Sequence, residues 1–149
     1  MFEYLILAGV NLLLVLVNII IHYETLYLLA KKLNALQITH RYRVLYGVLV
    51  IFRTHTIEII IFGLGYYQVL ALSGMGVMSG TASGDATLLD CIYFSFVTYT
   101  TVGYGDIFIH GLVRYMTGVE ALLGLILITW SASFLYIEMQ KNWTTRAKD

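Results

Sequence analysis

The stretch TYTTVGYGD, Thr98 to Asp106, decides how the rest of this chain is read. Two glycines flank a tyrosine, two threonines precede them, and one acid follows. The stretch has no metal-ligand spacing, no nucleophile beside a base, and a single acidic group. It lies between two apolar segments, Leu88 to Tyr99 and Leu112 to Ile137. Backbone so rich in glycine has few side chains to shield it, so its surroundings must satisfy its peptide groups.

Composition says what those surroundings are. Hydrophobic residues make up 59% of the 149 and charged residues 12%, with mean hydropathy +0.79. A soluble domain carries about 25% charged residues, so a water-facing surface is hard to build here. Net charge is zero, which gives no footprint for nucleic acid. The single cysteine, Cys91, cannot make an internal disulfide. No proline is present, which suits a few long helices.

A bilayer-crossing helix needs about 20 mostly apolar residues. Three stretches qualify: Tyr4 to Tyr23, Val44 to Leu72, and Leu112 to Ile137. Leu88 to Tyr99 is too short to cross and is predicted to re-enter on the side it came from. Glu3 stands where a secretory leader wants a cation, so the first span is predicted to be retained. Lys31, Lys32, Arg41 and Arg43 lie between the first two spans, and Lys141, Arg146 and Lys148 follow the third. The excess of basic residues predicts that these two segments are cytoplasmic. The N-terminus and the glycine- and serine-rich Ser73 to Asp85, predicted to be a flexible loop, then face outward.

Asp85 or Thr87 is a suitable cap for the short helix. Its carboxyl end, with unpaired carbonyls and partial negative charge, falls about mid-membrane. Non-helical backbone survives there only when buried in protein or lining a water-filled cavity. Gly103 and Gly105 tolerate positive φ. Alternating them with Val102 and Tyr104 lets successive carbonyls point to one side. A ring of such columns from neighbouring subunits can replace the hydration shell of a cation. Thr101 adds its hydroxyl as the innermost ligand, Val102 and Tyr104 pack the column from behind, and Asp106 sits at the outer mouth.

TTVGYGD, Thr100 to Asp106, resembles the potassium-channel signature over its full length. The resemblance covers about residues 57–137: outer helix, pore helix, filter and inner helix. The sequences IYFSFVTYTTVGYGDI and EALLGLILITWSASF look like those of bacterial potassium channels of the ion-transport group, with a two-transmembrane-type pore. The resemblance implies an all-α membrane protein with three transmembrane helices, a re-entrant pore helix and a filter loop. It also implies that the chain meets three further copies of itself in a homotetramer set in membrane lipid, with K+ ions in the filter. Residues 1–43 then form an extra helix and a cytoplasmic basic loop, 44–138 the pore module, and 139–149 a short cytoplasmic tail. The location implied is a plasma (bacterial inner) membrane. Some relatives carry a glutamate in the pore helix where Val97 stands here; Tyr93 is the residue placed to donate its hydroxyl to Asp106. A glycine near Gly124 is a gating hinge in relatives, with Gly118 a weaker candidate. Close helix packing is the alternative for both.

The remaining polar residues inside spans are costly and point to protein or water. Glu120 is read as a brace for the pore helix or filter, with pairing to Arg114 as the alternative. Glu24, Arg53, His55 and Glu58 form an intramembrane charge cluster, with His22 at similar depth. His55 and Glu58, three apart, share a helix face. Glu24 is predicted to pair with Arg53 and so dock the first helix on the second. A proton-sensing histidine pair is the sharper alternative. One mid-membrane arginine is too few for a voltage sensor. Trp143 is read as an interfacial anchor and Trp130 as packing. No enzymatic site emerges. The predicted function is passive, selective K+ conduction through Thr101 to Gly105, supported by Thr100. A non-conducting sensor or regulatory membrane subunit that keeps the pore fold is the alternative.

Overall fold

A computed structural model describes the backbone of residues 1–35, 39–80 and 86–146, with side chains through residue 141 except that of residue 40. In order come α1 (Phe2–Ala35), α2 (His40–Leu70), β1 (Gly76–Ser79), α3 (Leu88–Tyr99), β2 (Phe108–Gly111) and α4 (Arg114–Arg146). Three of the helices are long and apolar enough to cross a membrane. The short α3 sits among them, packed chiefly on α2 and α4. The mostly helical membrane fold expected from the sequence is therefore present.

The spans outrun their apolar windows. α1 has 34 residues, about 51 Å at 1.5 Å each, against a hydrocarbon core of roughly 30 Å. Glu24, Lys31 and Lys32 end the apolar run without ending the helix, because nothing there breaks it. α1 buries Leu7, Asn18, His22, Leu26, Leu29 and Leu33. The last five recur every three or four residues, which makes one stripe down the helix. Before Glu24 its remaining surface is mostly apolar and includes exposed Leu5, Leu12, Leu13 and Leu16, as lipid contact requires.

The core has two apolar layers. One gathers Leu7, Phe62, Tyr66, Met75, Phe94, Val113 and Met116 around α3. The other joins Leu26, Leu29 and Leu33 of α1 to Ile51 of α2. The four helices also bury polar residues, among them Asn18, His22, Thr54, Glu58, Ser95, Glu120 and Ser131; His22, Glu58 and Ser131 meet in one group, and Ser95 and Glu120 in another.

α3 begins as the sequence suggests. Thr87 is its N-cap, and Thr87 and Asp90 form a reciprocal capping box, which satisfies two donors the first turn leaves open. Asp85, the other candidate cap, and the side chain of Trp143 lie outside the described residues. One expectation needs correction. Residues 76–79 are not a flexible loop but a strand, paired antiparallel with β2 in the register Gly76↔Gly111 to Ser79↔Phe108. Met75 and Met78 are buried, so apolar anchors hold this segment over the upper core despite its glycines.

Candidate functional site

The loop after α3 has a regular backbone alternation. Thr101, Gly103 and Gly105 take φ of 58, 53 and 78°, whereas Val102 and Tyr104 stay at negative φ. Gly103 and Gly105 do so without steric penalty. Thr101 is the only non-glycine residue at positive φ among the described residues, a conformation that is uncommon outside glycine and marks functional backbone. Alternating hands of this kind turn successive peptide groups the same way, whereas an extended strand would turn them alternately. The loop is fastened to α3 by two backbone bonds, Thr101 N–H to the Thr98 carbonyl at 2.9 Å and Gly103 N–H to the Val97 carbonyl at 3.0 Å. Thr100 caps α3, and its hydroxyl donates to the Phe96 carbonyl at 2.7 Å.

Side chains brace the loop at both ends. Above it, the Tyr93 hydroxyl donates to Asp106 Oδ2 at 2.7 Å, the contact anticipated from the sequence. That bond holds the Asp106 carboxyl below the usual aspartate range. Below it, Tyr99 is fully buried, and its hydroxyl donates to Glu58 Oε2 at 2.6 Å. Behind α3, Glu120 is fully buried and accepts from the Tyr66 hydroxyl at 2.7 Å. It also meets the Ser95 hydroxyl, which is shared with the Ile59 carbonyl. Glu120 thus ties α4 to α2 and α3, as a brace would. Arg114 is not its partner; it lines a groove of about 470 Å³ beside Thr101, Gly103 and Gly105.

Gly124 is where α4 crosses the end of α3. A Cβ there would run into the Tyr99 carbonyl oxygen and lie 3.0 Å from the Tyr99 carbonyl carbon and ring. Gly118 has nothing within 4 Å of the same position. Close packing therefore accounts for Gly124 in this conformation.

The intramembrane cluster is built differently from the expectation. Glu24 and Arg53 are both exposed, and no ion pair joins them. Arg53 instead lines a groove with Thr25 and Lys32. α1 docks on α2 through His22, whose Nδ1 lies 2.9 Å from Glu58 Oε1, with both residues buried. His55 Nδ1 lies 2.9 Å from Glu58 Oε2 and 2.9 Å from the Tyr99 hydroxyl. Physical reason favours this arrangement: a long flexible arginine reaches polar surroundings at the surface, whereas a buried carboxylate must find donors inside. Ser131 of α4 completes the cluster at 3.3 Å from His22 Nε2, and Trp130 packs its ring on His22.

Sequence reasoning missed Tyr66, Ser95, Tyr99 and Ser131. Serine and tyrosine in an apolar helix carry little signal of their own; spacing from Glu58 and Glu120 could have suggested partners only once the helices were paired.

A family model described as ion channel matches residues 54–141. No curated protein and no solved structure matches the chain.

Proposed function

The chain belongs to the ion-channel family, and from that premise we propose that it conducts potassium passively and selectively through Thr101, Val102, Gly103, Tyr104 and Gly105. Three spanning helices and the family mark it as a membrane protein. The observation that carries the reading is the alternation of φ at Thr101, Gly103 and Gly105, fixed to α3 by the Gly103–Val97 bond. Peptide carbonyls turned to one side are weak, closely spaced ligands able to replace the water around a monovalent cation. The ion moves down its own gradient, so no covalent step is involved.

One column of carbonyls cannot surround an ion, so the conducting unit is a ring of four copies. The loop supports this by having two unlike faces. Val102 and Tyr104 are 53% and 73% exposed, and the groove of about 470 Å³ opens beside the same loop. A projection and a recess on one chain make a heterologous contact, which closes into a ring when the rotation permits. Exposed Leu122, Leu125 and Ile126 on α4 supply further apolar surface for neighbours or lipid. The excess of basic residues at one end supports an orientation with that end in the cytoplasm and the N-terminus outside, and the membrane we propose is a plasma membrane. Residues 44–138 are the pore module, and residues 1–43 add a helix that leans on it.

The test is ion flux in liposomes loaded with potassium salt. Wild-type protein should release potassium when the charge is compensated by a proton carrier. Gly103→Asp, which puts a carboxylate and a strained φ into the column, should abolish release while leaving assembly intact. Equal flux from both proteins would refute the assignment of the filter.

A further inference from the structure

The cluster formed by His22, His55 and Glu58 has a property that ion conduction does not require. Both imidazoles turn Nδ1 toward one carboxylate, at 2.9 Å each. The three ligand atoms lie within 4.8 Å of one another. We propose that these three side chains bind a divalent transition ion of the zinc class, which clamps α1 onto α2 beside the root of the filter loop.

The ligand set fits that chemistry. Two neutral imidazoles and one carboxylate suit zinc and cobalt, with a fourth position open to water. Two imidazole nitrogens about 2.0–2.1 Å from a tetrahedral ion place their ring centres roughly 5 Å apart. The rings of His22 and His55 stand 5.4 Å apart and tilted by 35°. The edge of such a coordination tetrahedron is about 3.3 Å, so the two nitrogen–carboxylate spacings already lie inside it. Only modest turning of the two rings is needed to open room for the ion.

The outer contacts fit as well. A ligating histidine usually donates its other ring N–H to a fixed acceptor. With Nδ1 on the metal, His22 carries its proton on Nε2, where the Ser131 hydroxyl oxygen waits at 3.3 Å. The Tyr99 hydroxyl orients the carboxylate through Oε2, so the ion takes Oε1 beside His22, and His55 Nδ1 turns from Oε2 toward it. Charge argues in the same direction. Glu58 is fully buried, and no lysine or arginine pairs with it among the described residues. A buried carboxylate needs compensation; a divalent cation supplies it while both imidazoles remain neutral ligands. His55, 16% exposed, gives the route of entry.

The measurement is titration of the purified, chelator-treated protein in detergent with Co2+, followed by visible absorbance, then displacement with Zn2+. One Co2+ per chain should develop the intense bands of a tetrahedral site. His22→Gln and His55→Gln should each remove the bands, and Ser131→Ala should weaken binding about tenfold. The double variant His40→Gln with His110→Gln should bind as wild type. Because a cluster variant can lose its fold, X-ray absorption on the wild-type Zn2+ complex gives an independent reading: two imidazoles in the first shell are expected. Absence of tetrahedral bands, bands that persist in folded His22→Gln, or an all-oxygen shell would each overturn the proposal. None of these readouts depends on potassium flux, so the site and the filter are tested separately.

Discussion

Gly124→Ala separates two roles for a glycine in the inner helix by the sign of one number. Alanine in the middle of a helix is favoured over glycine by about 1 kcal/mol. A residue kept only as a hinge should therefore stabilise the resting fold when replaced. At Gly124 the new Cβ would lie 3.0 Å from the Tyr99 carbonyl carbon and ring, and nearer still to its carbonyl oxygen. Non-bonded atoms prefer about 3.5–4.0 Å, so α4 must retreat by roughly 1 Å or more. Overpacking of this kind costs about 1–3 kcal/mol. Set against the propensity gain, the net change is a loss of up to about 2 kcal/mol. For a chain of this size each kcal/mol moves the melting temperature by about 2–4 °C, so a fall of up to about 8 °C is expected. Gly9→Ala is the control, since nothing lies within 4 Å of its Cβ position and it faces outward on α1. It should raise the melting temperature by about 2–4 °C. Thermal unfolding in detergent, followed by circular dichroism, reads both. Gly124→Ala melting above wild type, as Gly9→Ala should, would refute the packing role.

Tyr66→Phe keeps the ring and removes only the hydroxyl that donates to Glu120 at 2.7 Å. Polar contacts inside membranes are worth about 0.6–1.7 kcal/mol, so its melting temperature should drop by about 1–7 °C; an unchanged value would remove Glu120 as a brace. Tyr93→Phe should raise the Asp106 pKa toward the ordinary aspartate value of about 3.9, as read by carbon NMR of the carboxyl. In wild type the folded pKa is depressed by the Tyr93 hydroxyl. The contact's contribution is thus full above the unfolded value and lost as pH falls through the lower folded one. In Tyr93→Phe that acid-side loss of stability should disappear, and an unmoved Asp106 titration would show that the hydroxyl does not hold it.

Much of this fold was legible because each element carries an unambiguous physical signal. Apolar length gave the three spans, and the shortness of Leu88 to Tyr99 marked it as re-entrant. The glycine spacing at 103 and 105 announced positive φ, and Thr87 was one of two candidate caps for the start of α3. Positive φ at Thr101 was not legible, since threonine disfavours it and only the surrounding backbone bonds enforce it. The β1–β2 pair was hidden because glycine and serine near a turn read as loop, whereas cross-strand register depends on Met75 and Met78 finding the core. The docking of α1 was misread for a related reason. Depth along a helix is set by counting residues, but the face presented is set by rotation. Rotation brings His22 to Glu58 and leaves Glu24 and Arg53 outside.

Selectivity by the carbonyl column is read from the reversal potential of current through purified protein in a planar bilayer, with mainly potassium on one side and mainly sodium on the other. Dehydration by carbonyls matched to the larger ion should drive the reversal close to the potassium equilibrium potential. A reversal midway between the two ions, with sodium carried as readily as potassium, would contradict it.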